Sequence, residues 1–283
     1  MSVMNRYSDA ADQESRRVKR RHFKGLDSLR LGILSLTLIA CGMLSSSMIV
    51  PSLGNLMHAP VRSLTVALVL EALSWCATPI VAWMLVAWMR PFEGSDANRG
   101  RWHGLLTIAV AAVVGEVPYD VANSGKAWDF SSQNPAFAVL ITMIVLLILD
   151  ALSPARRRLS DAEDCKRSTG MRMALLRGIV VIAGFAWMWL VNVGVRLGIM
   201  QGGVLFLLYG LVFRYVSRHE NTMMLSATLA GLVGFMIPSF GLLAVHFRRD
   251  EQGTLSSQNR QYMALVVVYI LILAICSIVR MGR

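Results

Sequence analysis

The stretch AFAVLITMIVLLILD, residues 136–150, runs from Ala136 to Leu149 without a charge before it meets Asp150. Extended by a few neutral residues at either end it approaches the roughly 20 apolar residues that a helix needs to cross about 30 Å of hydrocarbon. Working outward, comparable runs fall at about 31–50, 64–89, 104–123, 136–153, 173–195, 199–216, 222–246 and 262–279, with short charged connections between them. The weakest division lies between the fifth and sixth runs, where Arg196, Leu197 and Gly198 offer a turn. The runs are continuous rather than alternating, and open backbone edges are forbidden in lipid, so helices are expected and not a barrel. The sequence therefore predicts an all-α polytopic integral membrane helix bundle of about eight transmembrane helices.

Composition agrees with that reading. The chain of 283 residues is 55% hydrophobic and 16% charged, a balance foreign to a water-soluble domain of this length. Residues 1–28 read as a basic cytosolic tail, with Arg16, Arg17, Lys19, Arg20, Arg21 and Lys24 close together. Residues 29–283 read as one transmembrane domain with a cytosolic loop at about 154–172. About 28 mostly polar residues precede the first apolar run and no small-residue cleavage pattern ends it, so this run is expected to be an anchor and not a cleaved signal. With the amino terminus inside, eight spans put 22 Lys and Arg on the inner side and six on the outer side, namely Arg62, Lys126, Arg196, Arg248, Arg249 and Arg260. That asymmetry follows the positive-inside rule and predicts both termini in the cytoplasm. The basic tail beside the first helix suits anionic lipid in preference to nucleic acid.

The polar groups inside the apolar runs are the best guide to function. An ionisable residue in a bilayer costs several kcal/mol unless paired or hydrated. Glu71, Glu116 and Asp120 qualify, and Arg196 sits at the outer turn. The segment Gly115-Glu116-Val117-Pro118-Tyr119-Asp120 puts two carboxylates four residues apart on one helix face, and Pro118 frees an upstream carbonyl. This is either a local polar site or a packing pair near the interface. At least one of these carboxylates is expected to pair with Arg196 or to receive backbone amide donors near Pro118, with Glu71 the next candidate partner. The loop after them, Ser124 to Pro135, offers Trp128 as an interfacial anchor and Asn134-Pro135 as the start of the fourth helix. Asp129, Gln133 and Asn134 of this loop join Glu71 and Arg196 as candidate substrate-binding groups. Pro79 and Pro238 are expected to kink their helices.

Cys41, Cys76 and Cys276 lie in apolar runs and Cys165 in the cytosolic loop, a spacing that suggests neither zinc nor a disulfide framework. The five histidines all sit at or outside helix ends.

The stretch GEVPYDVANSGKAWDFSSQN, residues 115–134, with the apolar run after it resembles the TraX family of membrane proteins. The likeness rests on a glutamate-aliphatic-proline-aromatic-aspartate turn and a loop ending in Gln-Asn before an apolar helix. It is specific over about 35 residues. It implies a bacterial plasma membrane protein on a polytopic acyltransferase scaffold, with acetyl-CoA as donor and a pilin-like or other membrane protein as partner. The chain also departs from the family pattern. An Asp-His pair expected in the first helix falls on Ala40 and Cys41, and a Gly-Arg in the second gives way to Ser74 and Trp75. A carboxy-terminal histidine falls on Tyr269, and an aspartate turn on Arg196-Leu197-Gly198. Acyl transfer needs a base for the nucleophile and a donor for the developing oxyanion. Glu116, Asp120 and Cys41, the last as a covalent acyl carrier, are the remaining catalytic candidates. Three readings follow: an acyltransferase-like protein, active or degenerate; a permease or channel component; and a non-enzymatic assembly partner.

Overall fold

The computed structural model describes residues 25–54, 58–89, 95–152, 163–196, 198, 200–217, 219–249 and 255–282. The basic tail through residue 24 and positions 153–162 of the expected cytosolic loop lie outside them.

The first helix, α1, spans Ser28–Ser52 and begins where Asp27 accepts a hydrogen bond from the Arg30 N–H at 2.9 Å. Its ladder loosens into a π-helical turn at Ser45–Ile49. The cause is local: Ser46 and Ser47 hydroxyls donate back to the carbonyls of Gly42 and Met43, while Ser45 donates across to the Ala67 carbonyl. The second apolar run is two helices, α2 (Val61–Trp75) and α3 (Ala77–Trp88). They part at Cys76 because Pro79 has no N–H to offer the Trp75 carbonyl. Then come α4 (Ser95–Ser124), with Pro118 inside it, α5 (Pro135–Ala151) and α6 (Glu163–Leu190). A small antiparallel hairpin follows, β1 (Val195–Arg196) and β2 (Met200–Gln201), turned by Gly198 at φ 70°. It occupies the weak division between the fifth and sixth runs. The chain continues with α7 (Gly202–Tyr215), α8 (Glu220–Ala230), α9 (Gly241–His246) and α10 (Leu255–Met281).

Among the described residues five helices are long and apolar enough to cross a membrane: Ser28–Ser52, Val61–Trp88, Trp102–Ser124, Met171–Leu190 and Asn259–Met281. Pro135–Ala151, Gly202–Tyr215 and Ile237–His246 are apolar but shorter. Val113, Ile182, Phe235 and Ile275 are each at least 60% exposed, far more outward apolar surface than a soluble bundle tolerates. The architecture is an all-α membrane helix bundle. Its core gathers around α3, α5 and α7, where the Trp83 and Phe213 rings meet edge to face at 5.6 Å.

The run 222–246 departs from the expectation of a single spanning helix kinked at Pro238. After α8 come two short 3-10 turns, Gly231–Gly234 and Ile237–Phe240, and between them Phe235 and Met236 adopt φ of 56° and 65°. Those left-handed residues reverse the chain, so α9 returns beside α8. Glu220 at the start of this unit pairs with Arg248 just past its end at 3.0 Å, which puts both ends on one face of the bundle. The same end is tied to the start of α1, since Leu26 N–H donates to the Phe247 carbonyl and Arg249 N–H to that of Leu26. The tip reaches only to the break in the second run, where Gly241 packs on the Cys76 carbonyl.

The last helix is set by its packing against the first and the fourth. Gly32 packs on Leu265, and Met43 shares a cluster with Leu273, so α10 runs parallel to α1. Gly100 meets Asn259 and Gly125 meets Arg280, so α10 is parallel to α4 as well. Gly25 and Gly282 therefore lie at opposite ends of the bundle.

Candidate functional site

The site is built where two irregular segments enter the end of the bundle that holds the start of α2 and the ends of α4 and α10. Loop 125–134 and the segment around the β1–β2 hairpin bind each other through their backbones. Gln133 N–H donates to the Asn192 carbonyl at 3.0 Å, and Gly194 N–H donates to the Gln133 carbonyl at 2.8 Å. Gly194 adopts φ 62°, a backbone conformation that strains any side chain, and Gly202 and Gly203 lie so close to the Gly194 and Val193 carbonyls that a side chain has no room at either. Non-helical backbone at such depth survives only where protein or trapped water satisfies it.

Arg196 on β1 and Glu71 on α2 form the centre. The guanidinium donates from Nε to Glu71 Oε1 at 2.6 Å and from Nη2 to Oε2 at 2.8 Å, a two-pronged bond between side chains 11% and 5% exposed. Trp75, one turn along α2, donates its indole N–H to the same Oε1 at 3.2 Å. The other terminal nitrogen of Arg196 meets the thioether of Met43 at 3.9 Å, and the guanidinium also interacts with the Tyr119 hydroxyl. Ser132 Oγ donates to the Val195 carbonyl at 2.6 Å, so its single proton is committed and the fully buried Tyr119 must donate to Ser132 at 2.9 Å.

Of the two arrangements expected for Glu116 and Asp120, pairing with Arg196 or backbone amide donors, the first does not occur, since the arginine takes Glu71, the next candidate. Both α4 carboxylates instead receive backbone donors from the loop. Asn134 N–H donates to Glu116 Oε2 at 3.0 Å and Asp129 N–H to Asp120 Oδ2 at 2.9 Å. Their second oxygens, Glu116 Oε1 and Asp120 Oδ1, are buried without a partner. Asn134 itself, with no exposed surface, caps α5 through the Ala136 N–H and accepts from the Tyr269 hydroxyl at 2.5 Å. Gly115 is small so that the Asn134 amide can lie against α4. Asp129 accepts from the Ser131 N–H at 3.0 Å, and that bond holds its carboxyl below the usual carboxylate range.

Two cavities flank the ion pair. The outer one, about 320 Å³, is polar and is lined by Ser46, Glu71, Ser124, Asp129, Ser131 and Arg196 among others. The inner one, about 290 Å³, is a largely apolar groove between α1, α3, α4 and α10, with Trp75, Tyr119, Arg196 and Tyr269 at one end. His103, Trp88 and Asn259 line the other end. Arg196 lines both. Cys41 is partly buried on α1 and lines neither cavity. Gln133 enters the site through its backbone. Among the described residues there is no cluster of three His, Cys, Asp or Glu fit to hold a metal ion.

Tyr119, Ser132 and Tyr269 were not among the candidates read from sequence. Tyr119 sits inside the GEVPYD segment, where an aromatic residue reads as packing until its hydroxyl is seen to reach a partner. Comparison with family models, curated proteins and solved structures returned no match to this chain.

Proposed function

We propose that this is a cytoplasmic-membrane protein that handles acyl groups at the junction of the two cavities, on a TraX-like acyltransferase scaffold. The observation that carries the reading is Arg196 on the wall of both: a donor held in the apolar groove and an acceptor entering the polar cavity meet at one guanidinium. Its spare donors suit a developing oxyanion. Glu71, on the outer cavity, is the carboxylate nearest to that role's partner, the base that takes the acceptor's proton. Both of its oxygens are engaged by Arg196, so turnover is expected to be slow. The resemblance adds support, because Trp75, Arg196 and Tyr269 stand at three positions it singles out and all line one groove. It also puts an arginine in the second helix and an aspartate at the later turn. Here the charges are exchanged, Glu71 in the helix and Arg196 at the turn.

The face carrying Leu26 and Phe247 is assigned to the cytoplasm, with seven membrane crossings and one re-entrant hairpin in place of eight spans. The fold-back brings Arg248, Arg249 and Arg260 to the face that holds Arg30, Arg172 and Arg214. Among the described residues it leaves Arg62, Lys126, Arg196 and Arg280 on the other, a sharper positive-inside asymmetry than eight spans give.

The test uses full-length protein purified in detergent. Acetyl-CoA is expected to raise the melting temperature more than CoA does, and slow thiol release with an amine acceptor should vanish in Arg196→Gln. No shift with acetyl-CoA or a longer acyl-CoA overturns the acyl reading. Binding without turnover favours a second reading, a non-enzymatic assembly partner for a membrane or pilin-like protein, which the ion-paired state of Glu71 also suits.

A further inference from the structure

We propose that the inner groove is a binding site for one unbranched-chain amphiphile from the bilayer, whose anionic head group takes Arg196 from Glu71. The inference rests on the membrane-embedded reading and not on acyl chemistry.

The groove is long and narrow. Gly104 and Tyr119 of α4 both line it, and the fifteen helical steps from one to the other span about 22 Å. That exceeds one leaflet of a hydrocarbon core about 30 Å thick. A cavity of about 290 Å³ drawn out over this length has the shape of an extended chain. The walls, from Leu36 and Val81 to Ile108 and Val266, offer a chain mostly apolar contact.

The head-group end is set by charge. The guanidinium of Arg196 has five N–H donors: two are held by Glu71, one meets the Met43 thioether, a weak acceptor, and the group also interacts with the Tyr119 hydroxyl at the end of the groove. An oxygen anion at the end of the groove is a better partner for that donor than sulfur, and it competes with Glu71 for the others. Glu71 has somewhere to go, because it already lines the polar outer cavity with Ser46 and Ser124 and can stay hydrated there once displaced. The π-helical turn of α1 beside this junction, Ser45–Ile49, supplies a loosened helix wall where the head group must fit. The opposite end of the groove is less suited to an anion, since the Asn259 amide oxygen there is turned to accept from the Trp88 indole at 2.7 Å.

Opposite responses of the two partners separate this role from a purely structural ion pair. The experiment uses full-length protein in nanodiscs of zwitterionic phosphatidylcholine, labelled with a photoreactive palmitate analogue and mapped by peptide mass spectrometry. Label is expected on α3, α4 and α10 along the groove. Palmitate or lysophosphatidic acid should compete and hexadecanol and lysophosphatidylcholine should not; the stronger anionic competitor identifies a carboxylate or a phosphate head. Glu71→Gln removes the internal competitor and should raise labelling about threefold or more, while Arg196→Gln should lower it about tenfold. The double variant Glu71→Gln, Arg196→Gln leaves no buried charge unpaired, so it should fold and bind hexadecanol and palmitate equally. Labelling that falls in both single variants, or hexadecanol competing as well as palmitate in the native protein, overturns the proposal. Acyl-CoA binding without palmitate binding would sink this inference and spare the acyl reading; palmitate binding with the signs above and no acyl-CoA binding would do the reverse.

Discussion

Two regions of this bundle interrupt their helices, and they satisfy the interrupted backbone in opposite ways. At the outer end, loop 125–134 and the β1–β2 hairpin find partners far away in sequence: Asn134 N–H on Glu116, Asp129 N–H on Asp120, the Val195 carbonyl on Ser132, and Arg196 on Glu71. In the hairpin 220–246 the bonds close locally, Met236 N–H on the Gly231 carbonyl at 2.9 Å and Ser239 N–H on that of Met236 at 3.0 Å. Its long-range ties are the Cys76 thiol, which donates to the Ile237 carbonyl at 3.4 Å, and the close seat of Gly241 on the Cys76 carbonyl, while Gly231 packs locally against Ser239. The first region depends on the identity of its polar side chains. The second depends chiefly on the small size of its glycines.

The comparison breaks outright if the second region is not a fold-back. Single cysteines replacing His219 and Arg249 should react with an impermeant thiol reagent from one face, and cysteines replacing Lys126 and Arg280 from the other. A cysteine at 219 reacting from the opposite face to one at 249 would restore a spanning helix and return Arg280 to the face of Arg30.

Polar identity is tested most severely at the ion pair. Arg196→Ala or Glu71→Ala each leaves a buried charge alone and should cost about 3–5 kcal/mol of unfolding free energy in detergent. Because the two groups touch, the double variant should lose less than the sum. Additive losses would mean the two do not interact.

In the second region the sensitive positions are glycines. Gly241→Val must push against backbone at Cys76 and should cost about 1–3 kcal/mol, with little change at the outer site. An unchanged melting temperature would show that α9 does not seat in the break between α2 and α3. A smaller effect is expected from Asn134→Ala, which removes the α5 cap and the acceptor of the Tyr269 hydroxyl. The cap contributes about 0.5–2 kcal/mol. Loss below that range would assign the capping of α5 to another group.

The contrast also explains what the sequence made legible. Length and hydropathy marked all eight apolar runs, and the cost of charge in lipid marked Glu71, Glu116, Asp120 and Arg196, all of which lie in or beside the site. The same signals could not tell one 25-residue helix from two half-length helices, because a re-entrant hairpin has the same apolar run. Gly231, Gly234, Pro238 and Gly241 were its only trace, and isolated glycines in an apolar run usually read as packing. The choice of Glu71 over Glu116 for Arg196 was equally hidden, since depth in a helix fixes level but not azimuth. Asn134 shows the converse: its place before Pro135 foretold the cap, but not that its own N–H and amide oxygen would join α4 to α10.

The smallest effect is expected at Asp129, and it tests whether the outer loop is held by polar identity even where water reaches it. Its carboxylate accepts from the Ser131 N–H, and that bond lowers its pKa from 3.8. A group whose native pKa is depressed stabilises the fold above its unfolded value and ceases to do so as pH falls through the native value. Native protein should therefore be more stable than Asp129→Ala at pH 7 by less than about 1 kcal/mol, since the side chain is partly exposed. The gap should hold down to about pH 4 and then close as the solution is made more acid. Asp120 keeps its donor in this variant, because the Asp129 N–H belongs to the backbone. Unfolding measured at two pH values, one near 7 and one well below 3.8, is enough. A gap that persists at the lower pH would mean the side chain acts through packing, and the outer loop would then resemble the inner hairpin more than the ion pair beside it.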